Sequence, residues 1–369
     1  MSALPQLDDV DTPALVVDGP MLVQNVREMA ARARDARVAL WPHSKTHKSL
    51  AVAALQREHG IAGLTAATAR EAETFANDGV EDILIAYPPV GPRLPRVVEL
   101  SRRVRLRVVL DNADTVATLD NACRKAGTHV GYLWEVECGT GRIGTEPGAN
   151  AARAIAPVAA RTRHAWFAGL MAFAGHAYAA ASLEEIGIAA EQEGRAVHET
   201  AAALADQGVE APALSVGTTP TTHQLEREGD VTEIRPGNYV FYDATQVALE
   251  VARLERCALS VLATVVARPS TNRLILDCGS KALAAEKLTF RHPGYGLVLG
   301  HPELLVDRLY EEHAIVTSVE PIEIPLGDRL RVVPNHACAC ANLHERMLVV
   351  ENGSVADVWS IDARGWNRP

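Results

Sequence analysis

The segment Val38-Ala39-Leu40-Trp41-Pro42-His43-Ser44-Lys45-Thr46-His47-Lys48 changes abruptly from apolar to cationic. Its first four residues are an apolar run typical of a buried strand, and its last six residues include two lysines and two histidines. Cations at the end of a buried strand are costly unless an anion or a covalent partner lies there. A solvated basic loop is the simpler interpretation, and an activated lysine at a cofactor site is the alternative.

Apolar strand candidates alternate with helix-length stretches over the first two thirds of the chain. Because parallel strands need long crossover connections, this alternation predicts an α/β fold with a parallel sheet and helices outside it. Eight such units within ~250 residues match a closed (β/α)8 TIM-type barrel, and an open doubly wound sheet is the alternative. The strand candidates are 38–41, 61–67, 83–87, 106–110, 130–136, 166–174, 213–216 and 239–242.

The pattern changes from about residue 249 onward, where short alternating or β-branched runs are separated by turns with glycine and proline. This pattern predicts a C-terminal antiparallel β domain. The run 15–17 is a candidate for one further strand of that domain. We therefore assign residues 18–248 to the barrel and residues 1–17 and 249–369 to the β domain.

Composition excludes several classes of protein. A hydrophobic content of 48% and a charged content of 22% are ordinary for a globular chain, and a net charge of −10 argues against a general nucleic-acid or anionic-membrane partner. No apolar run approaches the ~20 residues of a membrane helix, and the first residues lack the pattern of a signal peptide. The six cysteines are scattered, which does not resemble a disulfide framework and favours a cytoplasmic location.

Lys45 is the first candidate for chemistry. A lysine reacts covalently as a free amine, so its pKa has to be lowered by burial or by neighbouring cations. His43, His47 and Lys48 are close to Lys45 in sequence, and a buried strand precedes it. These conditions suit a Schiff base with an aldehyde cofactor, and on composition alone Lys48 could play the same part.

Arg142 lies among glycines in Cys138-Gly139-Thr140-Gly141-Arg142-Ile143-Gly144, at the end of a strand candidate. One interpretation is a tight turn with an exposed arginine. The other is a guanidinium fixed against an anionic ring oxygen or a carboxylate. His176, after another strand candidate, is a weaker candidate for a proton carrier, since a lone histidine there is more often a satisfied side chain.

Ser215-Val216-Gly217-Thr218-Thr219-Pro220-Thr221-Thr222 combines a glycine with hydroxyl side chains after a late strand candidate. Such a loop suits a phosphate held by backbone N–H groups, although loops rich in serine and threonine are common. Glu233-Ile234-Arg235-Pro236-Gly237-Asn238-Tyr239, further along, offers a second set of phosphate or ring contacts.

His336 and Cys338 follow the strand candidate 329–333 in Pro334-Asn335-His336-Ala337-Cys338-Ala339-Cys340. Alternate residues of an extended chain share a face, so we expect these two side chains to point the same way and to be able to hold one ion. Two protein ligands leave positions open for a substrate. Two packed core side chains are the alternative, and Cys340 is a doubtful further ligand because it lies about 7 Å along from Cys338.

These motifs together are recognisable. The lysine segment, the Arg142 loop, Pro236-Gly237-Asn238-Tyr239 and Pro334-Asn335-His336-Ala337-Cys338 resemble the D-serine dehydratase / D-threonine aldolase family of fold-type III pyridoxal-phosphate enzymes. The resemblance runs nearly from end to end. It implies an alanine racemase-like barrel plus β domain, pyridoxal 5'-phosphate (PLP) as cofactor, a D-amino acid substrate and a homodimer.

The resemblance also implies roles for individual residues. Lys45 falls on the Schiff-base lysine, Arg142 near the phenolic oxygen of the cofactor, and His336 with Cys338 on the divalent-metal pair. A thiolate ligand favours zinc over manganese or magnesium. The full set of cofactor-binding candidates is Lys45, His43, Arg142, Ser215, Gly217, Thr218, Gly237, Asn238 and Tyr239.

The same parts suit more than one reaction. We expect β-elimination with the freed Lys45 as base, because His-x-Cys resembles the dehydratases, whereas the aldolases pair histidine with a carboxylate. Retro-aldol cleavage to glycine and an aldehyde is the alternative. A racemase would need a second base, for which Tyr295 and Tyr310 are the β-domain candidates, and a non-enzymatic PLP carrier would need neither the second domain nor the metal pair. Trp41 departs from the family pattern, which commonly has arginine there, and the phosphate loop departs as well.

Overall fold

The computed structural model describes residues 6–224, 231–287 and 293–366. The chain forms two compact units. The β unit comprises Met1–Arg27, Thr46–Leu55 and Asn238–Arg364, and the barrel unit comprises Glu28–Lys45, Gln56–Gly237 and Gly365–Pro369.

The described helices and strands follow the alternation seen in the sequence. The strands are β1 (Ala14–Asp18), β2 (Ala39–Leu40), β3 (Leu64–Ala66), β4 (Asp82–Ile85), β5 (Arg105–Leu110), β6 (Val130–Glu135), β7 (Ala165–Met171), β8 (Ala213–Val216), β9 (Glu233–Ile234), β10 (Leu259–Ser270), β11 (Arg273–Leu276), β12 (Gly296–Val298), β13 (Leu305–Leu309), β14 (Ala314–Thr317), β15 (Arg329–Pro334), β16 (Arg346–Glu351) and β17 (Ser354–Ser360). The helices are α1 (Gly19–Ala36), α2 (Leu50–Glu58), α3 (Ala69–Asn77), α4 (Leu94–Leu100), α5 (Ala113–Ala126), α6 (Ala149–Arg161), α7 (Leu183–Ala205), α8 (Thr219–Thr222), α9 (Ala244–Ala248), α10 (Ser280–Leu283) and α11 (Ala337–Ala341). None of the helices described has the length and apolarity of a membrane span.

The barrel unit contains an eight-stranded parallel sheet in the order β2-β9-β8-β7-β6-β5-β4-β3. Its two end strands are linked by backbone hydrogen bonds, from Ala62 N to Leu40 O and from Thr65 N to Pro42 O, each 2.9 Å long. The sheet therefore closes on itself. This confirms the (β/α)8 prediction and excludes the open doubly wound sheet.

The side chains that point into the barrel form one apolar cluster, with Trp41, Leu84, Val109, Leu133, Ala168, Met171 and Ala213 as its buried members. The Trp41 ring lies against Gly63, where no side chain is in the way. The Arg107 guanidinium lies 3.9 Å from the centroid of the Trp41 ring and makes hydrogen bonds of 2.7 and 3.1 Å to the carboxylate of Glu233. Trp41, where the family commonly has arginine, thus takes part in packing the barrel interior.

The prediction of a strand at 239–242 is wrong. The eighth barrel strand is β9, and Pro236 with Gly237 ends the extended chain after it. The next residues form a 3-10 turn, Asn238–Val240, in which the N–H groups of Phe241 and Tyr242 both donate to the Asn238 carbonyl, at 3.0 and 2.8 Å. A buried turn and a buried strand have the same apolar composition, so the apolar run alone could not distinguish them.

The β unit contains a nine-stranded sheet in the order β11-β14-β13-β12-β15-β10-β1-β16-β17, with β10 also paired to β11. The pairings are antiparallel except that of β1 with β16. This confirms the predicted antiparallel domain and the N-terminal candidate at 15–17, which lies within β1. The short strands β12 and β13 gave no clear sequence signal.

Replacement of Gly63 by alanine tests how tightly Trp41 is packed. A Cβ atom at residue 63 would lie 2.2 Å from the Trp41 ring, so we expect Gly63→Ala to lower the free energy of unfolding by about 1–3 kcal/mol. Gly187→Ala is the matched control, because no heavy atom lies within 4 Å of its new Cβ and alanine favours the helix by up to about 1 kcal/mol. Urea denaturation measures both variants, and a Gly63→Ala protein as stable as the parent would contradict this packing.

Candidate functional site

Lys45 lies just beyond the carboxyl end of β2, in the 3-10 helix Ser44–Thr46. Its backbone N–H donates to Nδ1 of His43 at 3.4 Å, and its Nζ lies 5.8 Å from the centroid of the Phe173 ring. Phe173 follows the carboxyl end of β7. The amine therefore lies where the chemistry of a (β/α)8 barrel is found, against an aromatic face.

The neighbouring Lys48 has a different environment. Its Nζ donates a 2.9 Å hydrogen bond to Oδ1 of Asn342, and its backbone φ is +50°. The Lys48 amine is thus engaged by a side chain of the β unit, whereas the Lys45 amine lies against the Phe173 ring of the barrel unit.

Arg142 shares the Phe173 ring with Lys45. Its guanidinium carbon lies 4.6 Å from the ring centroid, and its Nη2 lies 3.3 Å from Oε1 of Glu135. About half of the Arg142 side chain is exposed, whereas that of Glu135 is buried. The barrel unit thus brings the predicted Schiff-base lysine and the predicted ring-contacting arginine to one aromatic side chain.

The Arg142 loop is held by the Glu137 carboxylate. It accepts hydrogen bonds from the backbone N–H groups of Cys138 (3.0 Å), Gly139 (2.6 Å) and Gly141 (3.0 Å). Although burial raises the pKa of Glu137, these backbone donors outweigh it and lower the pKa. The loop that carries Arg142 is therefore fixed by an ionised carboxylate rather than by the glycines alone.

Burial and neighbouring positive charges act in opposite directions on the pKa of Glu135, the last residue of β6. Burial raises its pKa to about 7, although the positive charges of Arg142 and Arg235 act in the opposite direction. Its Oε2 atom is buried and makes no hydrogen bond to the described residues. A group of this kind next to a candidate ring contact is typical of functional sites.

His176 lies beside the Arg142 loop. Its Nε2 shares a 2.9 Å hydrogen bond with Oε1 of Gln192, and its ring is so close to Gly139 that a Cβ there would lie 3.1 Å from the ring carbon Cε1. The φ of Gly139 is +116°, which also favours glycine. The structure thus brings His176 to the same strand ends as Arg142.

The predicted phosphate loop is compact and buried. Ser215 lies in β8, one residue before its end, and its Oγ accepts a 2.8 Å hydrogen bond from Nε of Arg235. Gly217 has a φ of +101°, and a Cβ there would lie 2.9 Å from Oγ1 of Thr222. Thr218 caps α8, and its Oγ1 accepts from the N–H of Thr221, the third residue of that helix.

The remaining cofactor candidates adjoin this loop in sequence. Gly237 is buried at the end of the barrel unit. Within the β unit, Nδ2 of Asn238 donates a 2.5 Å hydrogen bond to Oδ2 of Asp243, and Tyr239 is fully buried. Oδ1 of Asn238 makes no hydrogen bond to the described residues, so a buried acceptor remains there.

His336 and Cys338 come together, but not in the way that the sequence predicted. The chain is not extended there, since β15 ends at Pro334 and His336 caps α11, which contains Cys338. The Cys338 side chain hydrogen-bonds His336, and its Sγ lies 3.1 Å from Oγ1 of Thr46. The structure thus supplies a nitrogen and a sulfur donor side by side.

Cys340 was expected to share a face with Cys338, but the two side chains point in different directions. In a helix, residues two apart point in nearly opposite directions, and the Cys340 thiol is buried and donates to the carbonyl of Ala282 at 3.1 Å. No group of three or more His, Cys, Asp or Glu side chains suited to a metal ion occurs in the described ranges.

The groups around His336 stabilise a positive charge on its imidazole ring. Burial lowers its pKa, but the charge and hydrogen bond of Cys338, with the Glu286 carboxylate on Nδ1 and the charge of Asp243, outweigh burial and raise the pKa of His336 to about 11. Oδ2 of Asp243 also accepts the N–H of Ala337 at 2.9 Å, which fixes the start of α11.

These residues fit the two implied groups. For PLP, the barrel unit offers the Lys45 amine, the unpaired Oε2 of Glu135, and hydroxyls beside a loop where a Cβ on Gly217 would collide. For a divalent metal, an imidazole and a thiol are the donors that zinc prefers.

The sequence analysis did not single out four residues that contact predicted site residues in the structure. They are Phe173, Glu135, Asp243 and Glu286. Phe173 and Glu135 lie at the ends of predicted strands, so their positions were a usable signal. Glu286 lies far from His336 in sequence and had none.

Comparison with known proteins identifies related families. The family described as "Alanine racemase, N-terminal domain" matches residues 17–245, and the "Putative serine dehydratase domain" matches residues 258–350. The chain is 34% identical over 364 residues to a D-threonine aldolase of Arthrobacter sp., covering 97% of this chain and 94% of that protein. It is 33% identical over 378 residues to a D-threo-3-hydroxyaspartate dehydratase of Delftia sp. (strain HT23), covering 97% and 98%.

The fold agrees with these matches. The crystal structure of a D-threonine aldolase from Filomicrobium marinum superposes with a TM-score of 0.92 at 30% sequence identity, covering 100% of both chains. An aldolase and a dehydratase are therefore both similar to this chain over nearly its whole length.

Replacement of Glu135 by glutamine tests its raised pKa. A carboxyl whose pKa is higher in the folded state stabilises the fold below its usual pKa of 4.5, and this contribution is lost as pH rises through about 7. We therefore expect the parent to lose about 2.5 kcal/mol of unfolding free energy relative to Glu135→Gln between pH 5 and 8. Denaturation of both proteins across this range measures the difference, and a difference that is independent of pH would contradict the assignment.

Proposed function

The chain belongs to the D-serine dehydratase / D-threonine aldolase family of fold-type III pyridoxal-phosphate enzymes, and from that premise we propose that it is a β-eliminating, D-serine dehydratase-like enzyme. It is a PLP-dependent lyase that acts on D-3-hydroxy-amino acids. The observation that supports β-elimination is the pair His336 and Cys338, because a histidine with a cysteine resembles the dehydratases and a histidine with a carboxylate the aldolases.

The proposed cofactor site lies at the carboxyl ends of the barrel strands. In the domain assignment that we propose, residues 18–248 bind PLP and residues 1–17 and 249–369 carry the metal site. When bound, the cofactor supplies an electron sink for the negative charge that develops at the substrate α-carbon. The residues proposed to hold it are Lys45, His43, Arg142, Ser215, Gly217, Thr218, Gly237, Asn238 and Tyr239.

Lys45 carries the covalent and proton-transfer roles in this proposal. Its Nζ would hold the cofactor aldehyde, and as a free amine it would take the substrate α-proton as a general base. The Phe173 ring, 5.8 Å from Nζ, limits the approach of water to the amine on that side. Arg142, which is fixed by Glu135 and by the loop that Glu137 holds, would offer a positive charge to the phenolic oxygen of the cofactor. His176 stays a candidate proton carrier.

His336 and Cys338 are the proposed metal ligands, with zinc favoured over manganese or magnesium because one donor is a thiolate. The ion would supply Lewis-acid stabilisation of the departing β-hydroxyl. Thr46, with Oγ1 3.1 Å from the Cys338 sulfur, can donate a hydrogen bond that stabilises the thiolate.

Retro-aldol cleavage is the second candidate. The similarity to the aldolases of Arthrobacter sp. and Filomicrobium marinum favours it, at 34% and 30% identity. In this reaction a base removes the hydroxyl proton and the Cα–Cβ bond breaks, so that an aldehyde departs. The α-carbon keeps its own proton and takes up a second one, which gives glycine.

We also propose a cytoplasmic homodimer. All six cysteines are free thiols in the structure, which suits a reducing compartment. The dimer rests on the family resemblance, and light scattering after size-exclusion chromatography measures it.

Product analysis tests the proposed reaction. We expect the purified enzyme to release pyruvate and ammonia from D-serine, and 2-oxobutanoate rather than glycine and acetaldehyde from D-threonine. Prior chelation should lower the rate about 100-fold or more, because several kcal/mol of charge stabilisation would be lost, and zinc should restore it. Glycine with acetaldehyde as the main products would favour the aldolase, and a rate unaffected by complete metal removal would contradict the metal assignment.

A further inference from the structure

Glu286 is a half-exposed carboxylate that contacts a proposed metal ligand. Its Oε2 hydrogen-bonds Nδ1 of His336, and its side chain is 52% exposed. Glu286 precedes His336 by 50 residues, so it does not belong to the sequence motif around that histidine. The β unit contains a second pair of the same kind, in which Nδ1 of His301 lies 3.0 Å from Oε1 of Glu303, at a place with no role in the proposed function.

The backbone of Glu286 is anchored to the residue that precedes His336. Nδ2 of Asn335 donates two hydrogen bonds of 2.9 Å, one to the carbonyl of Glu286 and one to the carbonyl of Gly294. Asn335 is 2% exposed, and its own carbonyl accepts hydrogen bonds from Thr245. A buried amide therefore fixes the backbone of Glu286 to the residue that precedes His336, which a chance surface contact between the two side chains would not require.

We propose that Glu286 is a positioning residue of the metal site. Its carboxylate accepts a hydrogen bond from the Nδ1–H group of His336 and so turns Nε2 of the imidazole toward the ion. This inference rests on the proposed function, since it concerns the metal assigned there. A histidine that binds a metal through one ring nitrogen usually donates its other N–H to a carboxylate or carbonyl, which fixes the tautomer and increases the basicity of the ligand. Glu286 supplies that acceptor, and the Cys338 side chain, the second proposed ligand, hydrogen-bonds the same imidazole.

Zinc affinity is the direct readout, measured on the demetallated, PLP-loaded enzyme by competition with a chromophoric chelator. We expect the Kd for Zn²⁺ to rise about 10–100-fold in Glu286→Ala. In Glu286→Gln it should rise less, because the amide oxygen still accepts the Nδ1 proton but has no charge. Glu303→Gln, which breaks the matched surface pair, should leave the Kd unchanged. Melting temperatures within a degree or two of the parent are expected for all three, since both carboxylates are largely exposed.

His336→Ala separates the failure of this inference from the failure of the proposed function. If it weakens zinc binding while both Glu286 variants bind like the parent, the metal site stands and the positioning role of Glu286 is overturned. If parent and His336→Ala bind zinc equally, the metal assignment fails, and the role of Glu286 fails with it.

Cobalt substitution distinguishes a positioning residue from a direct ligand. At saturating Co²⁺, the thiolate-to-metal charge-transfer band should persist in Glu286→Gln, because the carboxylate orients the imidazole without binding the ion. A band that is lost or strongly shifted at saturation would show Glu286 in the coordination sphere and overturn the proposal.

Discussion

A buried arginine links the carboxyl ends of three barrel strands by hydrogen bonds. Arg235 is 4% exposed; its Nε donates to Oγ of Ser215, and its Nη2 donates to the carbonyl of Ala172 at 2.5 Å. A guanidinium removed from water is tolerated only with hydrogen bonds and opposite charges, and burial lowers the pKa of Arg235 while Glu193 and Glu135 raise it. Loss of one partner from such a buried set costs about 3–5 kcal/mol. The ends of β7, β8 and β9 are therefore tied together by one side chain.

The site of the barrel unit follows from this arrangement. Glu135, one of the carboxylates near Arg235, also holds Arg142, and Arg142 lies over the Phe173 ring that faces Lys45. The carboxylate of Glu135 thus links the buried charge of Arg235 to the half-exposed guanidinium of Arg142. The hydrogen bonds and charges that stabilise the buried arginine thus also position residues that we propose for cofactor binding.

Much of this architecture could be predicted from the sequence. Hydrophobic runs separated by helix-length stretches gave seven of the eight barrel strands, because each run is buried on both faces of a parallel sheet. The eighth was misplaced at 239–242, where a buried turn has the composition of a strand. His336 and Cys338 were expected to share a face of an extended chain, but a helix begins between them and brings the two side chains together instead. Phe173 and Glu286 become neighbours of the proposed ligands only through the folded chain.

The central claim is that the Lys45 amine, and not that of Lys48, holds the cofactor. Reduction of the PLP-loaded enzyme with borohydride, followed by proteolysis and mass spectrometry, tests it directly, because reduction fixes the cofactor to the lysine that carries it. The account predicts a pyridoxyl group on Lys45 and none on Lys48. A pyridoxyl group on Lys48, or on neither lysine, would contradict it.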